Sequence, residues 1–517
     1  MAGALLLGLD LMMTELEFKS LAALGYNRIP LISEAFADLE TPLSLYLKLC
    51  SGAGAYGGNR GNGGRNSFLL ESVVGGERFG RYSYIGLPAR TVLQSRGLLT
   101  EVICDGQVVE THTGNPLDFI AAYQQRFKVA LRPGMPRFCG GLAGYFGYDA
   151  VRYIEPKLAR FGRDNEMPGG IDTPDVMLLQ CEELAVIDNL SGKLYLIVYA
   201  DPSQPEAFFK AQKRLTELRD KLAYSVSAPV VKRGQAHPVE REFAKADYLK
   251  AVLRAKEYIA AGDMMQVQIG QRLRKRYTES PLSLYRALRS LNPSPYMYFY
   301  DMGDFQIVGA SPEILVRQEH SPDGDKVTIR PLAGTRPRGG TPEQDQALER
   351  ELKADPKELA EHLMLIDLAR NDIGRIVKTG SVKVTDAFVV ERYSHVMHLV
   401  SNVEGILNDG VSNLDVFRAS FPAGTLSGAP KIRAMQIIDE LEPVKRGIYG
   451  GAVGCLSFAG DMDLAIAIRT GIIKDETLYV QAAAGVVADS VPELEWAETE
   501  AKARALIRAA ELVEEGF

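Results

Sequence analysis

The sequence predicts an α+β fold built on antiparallel β-sheet, and three observations lead there. First, runs rich in β-branched and aromatic residues recur between Ile29 and Ala200 (RFGRYSYIGL, EVICDGQVVE, GGLAGYFGYDAVRYI, LAVIDN, KLYLIVYA), separated by Gly and Pro. Second, from Phe243 onward, helical segments such as KADYLKAVLRAKEYIAAGD alternate with strand-like ones: YMYFYDMG, QIVGAS, EILVRQ, VTIRPLAG, GAVGCLSFAG and LYVQAAAGVVA. Third, many neighbouring strand runs are joined by short turns. Parallel crossovers need a dozen or more residues, so such connections suit antiparallel pairing.

The chain divides by pattern into four stretches. Residues 1–28 are an N-terminal segment whose apolar opening, Met1 to Met13, has no Lys or Arg ahead of it, carries Asp10 and is too short to span a bilayer. A start at Met13 fits at least as well as a targeting role. Residues 29–225 are sheet-rich and end in the charged helix DPSQPEAFFKAQKRLTELRDKLAYS. Residues 226–242, which open with VSAPVVKRGQAHPVE, read as a linker. Residues 243–517 carry the mixed helix and strand pattern. Within the second stretch, Ser51 to Ser67 places seven glycines in the thirteen residues from Gly52 to Gly64. That composition reads as a surface loop, because a phosphate-cradling loop needs a GK[ST] ending and a helix start that do not follow.

Composition narrows the class. A chain of 517 residues with 46% hydrophobic and 24% charged residues buries a large core. Net charge is −7, with Lys and Arg scattered, so no nucleic-acid footprint appears. Cys50, Cys104, Cys139, Cys181 and Cys455 are odd in number, far apart and without CxxC spacing, which argues against disulfides and zinc and for a reducing, cytoplasmic setting.

The segment ADPKELAEHLMLIDLARNDIG, Ala354 to Gly374, carries helix signals at both ends. Asp355 suits the N-cap, Pro356 the first position, Glu358 the capping box and Gly374 the stop. Leu359, Leu363 and Ile366 form the expected core stripe, with Glu361 and His362 in an oily neighbourhood. In SVPELEWAETEAKARALIRAAEL, Ser490 and Glu493 suggest a second capping box, and Glu495, Glu498 and Lys502 fall at i, i+3 and i+7 on one face. As a surface ion-pair stripe this contributes only tenths of a kcal/mol. As a functional stripe, its carboxylates are hard oxygen ligands of the kind Mg²⁺ prefers, and its ammonium can meet a substrate carboxylate. The loops FPAGTLSGAPK, entering a helix at Pro430, and AAAGVVADS, joining a strand to the last helix, offer free backbone N–H groups to anions.

Taken in order, AGDMMQVQ, ASPE, PLAGTRPRG, ELAEHLMLIDLARNDIG, YSHVMHL, FPAGTLSGAPK, GIYGGAVG, LAIAIR, AAAGVV and ELEWAET resemble the chorismate-utilising enzymes. That family includes the large subunit of anthranilate synthase, aminodeoxychorismate synthase, isochorismate synthase and salicylate synthase. The resemblance covers about residues 243 to 510, with a weaker likeness over the N-terminal half. It implies a large sandwich of two antiparallel sheets with helices packed outside. It implies that Glu361 and Glu498, with Glu495 as a third candidate, hold Mg²⁺ against the ring carboxylate of chorismate. Glu313 matches the general acid for the departing C4 hydroxyl, and His398 matches the histidine of the pyruvate-releasing stage, although a lone histidine on an apolar strand is more often structural. Gln266 and Thr335 match further catalytic positions. Arg469 and Tyr449 match the grip on the enolpyruvyl carboxylate, and Thr425, Gly334, Ala484, Gly485 and Lys502 match other substrate contacts.

Two positions separate the family's branches. Water-using members carry a lysine base where this chain has Gln266, and glutamine cannot abstract a proton, so ammonia is the implied nucleophile. Aminodeoxychorismate synthases usually read PIKGT where this chain reads PLAGT, and Ala333 offers no nucleophile. The implied activity is Mg²⁺-dependent amination of chorismate followed by pyruvate loss to anthranilate; an aminodeoxychorismate synthase and a non-catalytic chorismate-binding paralogue are the alternatives. No cysteine sits in a G-x-C-x-G elbow, so the resemblance implies a separate glutamine amidotransferase partner in a heterotetramer. LLES and NPSPYMY match the segments of a feedback pocket for L-tryptophan, with Glu71, Ser72, Arg81, Pro293, Tyr296 and Met297 as its lining. The plainer reading of those segments is a strand and a packing turn.

Overall fold

In the computed structural model, residues 13–50, 64–73, 80–158, 170–226, 234–393 and 396–516 are described. The Met1 start, most of the Gly-rich run and part of the 226–242 linker lie outside these residues. Two large sheets dominate, and every named strand pair in them is antiparallel. The alternation of residue types explains the layering. Phe68, Tyr298 and Tyr300 point into a cluster shared with Ala143, Tyr145, Met177 and Val453 of the opposite sheet, while their strand neighbours Leu69, Met297 and Phe299 point outward under helices. The result is a sandwich with helices on its outer faces.

The first sheet runs from Ile29–Phe36 at one edge, through Ser67–Glu71, Tyr296–Asp301, Thr470–Lys474 and Thr477–Val486, to Gln266–Arg276 near the other. The second runs from Lys383–Val384 through Ile314–Glu319, Met462–Ile466, Ala452–Ser457 and Gly141–Phe146 to Gln107–Thr113. Residues 29–225 and 243–517 therefore both contribute strands to each sheet. They join at Glu71 opposite Met297 in one and at Phe146 opposite Ala452 in the other. A third sheet of three strands, Leu332–Pro337, Val396–Val400 and Val389–Arg392, packs beside the helix Pro356–Gly374.

That helix begins as its sequence predicts: Asp355 accepts hydrogen bonds from the N–H groups of Lys357 and Glu358, with Pro356 at the first position. Its buried stripe is shifted by about one residue. His362, Leu365, Ile366, Ala369 and Ile373 are buried, whereas Leu363 is 52% exposed. The last helix, Pro492–Glu515, is entered through Val491, not Ser490. Proline at the first position holds the residue before it extended, so Ser490 falls outside the helix and its hydroxyl accepts from the N–H of Val487. Pro430 likewise sits at the cap, one residue before the helix Lys431–Leu441.

Candidate active site

The strand pair Gln266–Arg276 and Thr477–Val486 forms the floor of the site, with Gln268 opposite Gly485 and Ile269 opposite Ala484. A Cβ at Gly485 would lie 2.9 Å from the amide nitrogens of both Gln266 and Gln268, so the missing side chain is what lets those amides cross the strand. The Gln266 amide reaches Glu361. Glu361 comes from the helix Pro356–Gly374, and Glu495 and Glu498 come from the helix Pro492–Glu515. Burial, then the charges of Glu358 and Glu498, hold the Glu361 carboxyl above the usual range. Burial and the charge of Glu498 do the same to Glu495. Two helices distant in sequence thus bring Glu498 within repulsive reach of both Glu361 and Glu495.

Lys502 answers part of that charge. Its ammonium is 2.7 Å from Glu498 and donates to the carbonyl of Ala483 at 2.9 Å. Among the described residues, no three His, Cys, Asp or Glu side chains cluster tightly enough to hold a metal alone. Mg²⁺ seldom needs such a cage, because it usually takes one or two carboxylates and completes its shell with water and substrate oxygens. Half-buried Glu361 and Glu495 beside the exposed Glu498 fit that ion.

Glu313 sits between the strands Phe305–Ser311 and Ile314–Glu319 and is 7% exposed. Burial pushes its carboxyl up to about 8, against opposing hydrogen bonds from the Thr425 hydroxyl, at 3.3 Å, and the Leu332 N–H. It is therefore largely protonated at neutral pH. With Gly424, Thr425 and Asp372 it borders a cavity of about 40 Å³.

His398 lies opposite Thr335, and its Nδ1 is 2.9 Å from the Gly334 carbonyl and 3.1 Å from the Thr335 hydroxyl. A carbonyl only accepts, so this bond assigns the proton to Nδ1 and the lone pair to Nε2. Burial, with the cations Arg469 and Lys502 nearby, lowers the imidazole to about 4, leaving it neutral. Arg469 holds a left-handed backbone, φ 50°, and its guanidinium makes no hydrogen bond or ion pair among the described residues. Burial depresses its pKa, although Tyr449 and Glu498 favour its charge. Tyr449 is buried, and its hydroxyl is bonded by the Ala483 N–H. A partly buried guanidinium without a carboxylate is a ready anion site.

A family described as chorismate binding enzyme matches residues 88–508. The chain belongs to that family. Within it, the chain is 56% identical over 506 residues to anthranilate synthase component 1 of Neisseria meningitidis, covering 98% of this chain and 100% of that one. It is 53% identical to the protein of the same name from Pseudomonas putida, covering 96% and 98%. These identities make it a member of the anthranilate synthase component 1 branch. A crystal structure of anthranilate synthase component I from Streptococcus pneumoniae superposes with TM-score 0.73 at 36% identity, over 92% of this chain and 99% of that one. The isochorismate synthase MenF of Escherichia coli, at 19% identity and TM-score 0.69 over 95% and 98%, shares the fold.

In this chorismate-binding enzyme the six residues matched to a feedback pocket fall in neighbouring but separate surroundings. Glu71 is buried, bonded by Arg289 at 2.7 and 3.1 Å and by the Tyr285 hydroxyl. Glu71, Ser72 and Arg81 border one cavity of about 500 Å³ together with Arg289 and Asn189. Met297, opposite Glu71, is buried in the core beneath the helix Pro281–Leu291. The Tyr296 hydroxyl bonds Asp463 and Arg317, both at 3.1 Å, beside a second cavity of about 450 Å³ that Arg81 also borders. Pro293 is half-buried in the loop after that helix, where the carbonyl of its neighbour Ser294 accepts from the Val73 N–H.

Sequence reasoning missed two parts of this site. Gln268 presents a buried side chain beside Gln266, and Glu442 and Arg446 form a buried ion pair behind Thr425 and Tyr449. The i+2 alternation from Gln266 was a usable signal for the first. The second lies in ELEPVKRG, which has neither helix nor strand periodicity.

Proposed function

We propose that this chain is the ammonia-using large subunit of an anthranilate synthase, converting chorismate to 2-amino-2-deoxyisochorismate and then to anthranilate and pyruvate. The observation that carries the reading is Glu498 acting on both Glu361 and Glu495, beside the guanidinium of Arg469, which is unpaired among the described residues. A substrate with two carboxylates, one shared with a divalent cation and one free, satisfies both at once. Glu361 and Glu498, with Glu495 near, would hold Mg²⁺, which would act as an electron sink on the ring carboxylate and orient it.

The chain's own residues supply the rest. Glu313, protonated at neutral pH, gives its proton to the C4 oxygen as that group leaves, while ammonia adds at C2. Arg469 and Tyr449 orient the enolpyruvyl carboxylate, and Lys502, Thr425, Gly334 and the backbone at Ala484 and Gly485 hold the ring. His398 presents an unprotonated Nε2 to the C2 proton that departs with pyruvate. Substrate carboxylates beside Arg469 and Lys502 offset the cations that depress its basicity. Gln266, bound to Glu361, cannot deprotonate water, which favours ammonia as nucleophile. We assign the ammonia supply to a glutamine amidotransferase partner in a cytoplasmic heterotetramer, and feedback inhibition by L-tryptophan to the segments around Glu71, Ser72 and Tyr296.

Product analysis tests this. The purified chain with chorismate, an ammonium salt and Mg²⁺ is expected to yield fluorescent anthranilate and stoichiometric pyruvate, less of both with added tryptophan. A non-aromatic amino acid accumulating without pyruvate would assign the chain to aminodeoxychorismate synthesis instead. Untouched chorismate would refute catalysis.

A further inference from the structure

Glu442 and Arg446 form an ion pair that the chemistry above does not use. They are 5% and 3% exposed. Arg446 Nη2 lies 2.6 Å from Glu442 Oε1, and Nε donates to Oε2 at 3.0 Å. Removing two charges from water is costly, and attraction alone offsets that cost only when further hydrogen bonds satisfy both groups. Here those bonds exist, and they end at the site. Arg446 Nη1 donates to the carbonyl of Leu426 at 2.6 Å, and Nη2 donates to the carbonyl of Gln268 at 3.0 Å. Glu442 Oε1 accepts from the Gly270 N–H at 2.7 Å. The guanidinium also lies over the rings of Tyr148 and Tyr449, with 4.6 and 5.8 Å to their centroids.

Each anchored point adjoins a functional group. Leu426 follows Thr425, which bonds Glu313; Gln268 faces Gly485 across the floor; Tyr449 is itself a substrate-facing candidate. We propose that Glu442 and Arg446 are a positioning pair that sets Thr425, Gln268 and Tyr449 in register, fixing one wall of the site against its floor. Neither residue touches substrate. The inference rests on the chorismate reading of the site, and it explains why a planar five-donor cation stands at Arg446: lysine offers one point charge and cannot serve two carbonyls and a carboxylate in one plane.

The test is a set of variants read by kcat, KM and chorismate affinity. Arg446→Lys is expected to lower kcat about 10- to 100-fold with a few-fold rise in KM, the scale on which misplaced groups cost rate. The double variant Glu442→Met with Arg446→Met leaves no lone buried charge, guarding against simple misfolding. It is expected to bind chorismate with Mg²⁺ by calorimetry yet turn over on the order of 100-fold more slowly. Thr425→Val should cost less in the double-Met background than in the wild-type protein, because the hydroxyl is already misplaced there. Wild-type kcat in a folded Arg446→Lys or double-Met protein, or strict additivity with Thr425→Val, overturns the proposal. If the wild-type protein binds chorismate but forms no anthranilate, the proposed function fails, and the pair is then judged by chorismate affinity, which must drop in Arg446→Lys.

Discussion

The carbonyl of Gly334 accepts the Nδ1 proton of His398 at 2.9 Å, and Gly334 reaches that position from the left-handed region, φ 64°, where the register of its strand slips between Ala333 and Thr335. A bulge that re-aims one carbonyl therefore decides which imidazole nitrogen keeps its lone pair. Any side chain there meets two obstacles: a Cβ would lie 2.9 Å from Leu352 Cδ1, and left-handed backbone costs an L-residue about 1–2 kcal/mol. Gly334→Ala is expected to lower stability by about that amount and kcat by at least about tenfold as the imidazole turns. Denaturant melts alongside steady-state kinetics check it, and native stability and rate in the Gly334→Ala protein would sever the link.

The repulsion that Glu498 exerts on Glu361 and Glu495 makes cation binding sensitive to pH. Burial, Glu358 and Glu498 raise the Glu361 carboxyl, so acid protonates it earlier than an ordinary glutamate and removes a ligand. Mg²⁺ affinity in the presence of chorismate is expected to fall as pH drops toward the carboxylate range. Glu361→Gln is expected to weaken binding on the order of tenfold or more, since one of few charged ligands is gone. Calorimetric Mg²⁺ titrations at two pH values measure both effects, and equal affinities for variant and wild type would remove Glu361 from the cation site.

Much of this site was legible before the fold was known, and what escaped did so for identifiable reasons. The Asp355–Pro356 start of the helix that carries Glu361 was readable because a cap is a local device. Ser490 misled because the same local rules compete: the proline two residues on claims the helix start for itself and leaves Val491 as the cap. Leu363 looked like core, but the 3.6-residue stripe that the tertiary packing selects runs through His362 and Leu365. Short turns gave antiparallel pairing. They could not give Glu71 opposite Met297, a contact between residues more than two hundred apart that sews the two halves into one sheet. Glu442 and Arg446 lay in a stretch with no period, and only the assembled core shows what they hold.

Arg469 makes a prediction about binding with little effect on the folded state. Its guanidinium is partly buried and unpaired among the described residues, and burial depresses its pKa, so the protein carries an unfavourable feature that an anionic ligand relieves. Arg469→Ala is expected to raise KM for chorismate by about 10- to 100-fold, the loss of a charge-assisted bidentate contact, while leaving stability unchanged or slightly raised. Arg469→Lys should recover only part of that loss, because an ammonium cannot form the paired bonds. Chorismate titrations of the three proteins decide it, and an unchanged KM in Arg469→Ala would reassign the carboxylate grip.

Glu313 sets activity against stability at one side chain. Its carboxyl titrates near 8 in the folded protein against an ordinary 4.5, with burial as the main cause. Between those values the folded state holds a proton that the unfolded chain has released. The proton linkage therefore favours folding fully below about 4.5, and that contribution is lost as pH rises through about 8. The same titration removes the acid needed at the C4 oxygen, so kcat is expected to fall about tenfold per pH unit above 8. Glu313→Gln keeps the shape and an acceptor for the Thr425 hydroxyl but cannot ionise. It is expected to lose about 10²- to 10⁴-fold in kcat. It should also be more stable than the wild-type protein by about 1–3 kcal/mol at pH 8.5, with the difference vanishing near pH 5. Paired thermal melts at the two pH values, read with the pH–rate profile, separate this from a packing effect: a gain independent of pH, or a rate insensitive to alkali up to pH 10, would mean that Glu313 is not the proton donor.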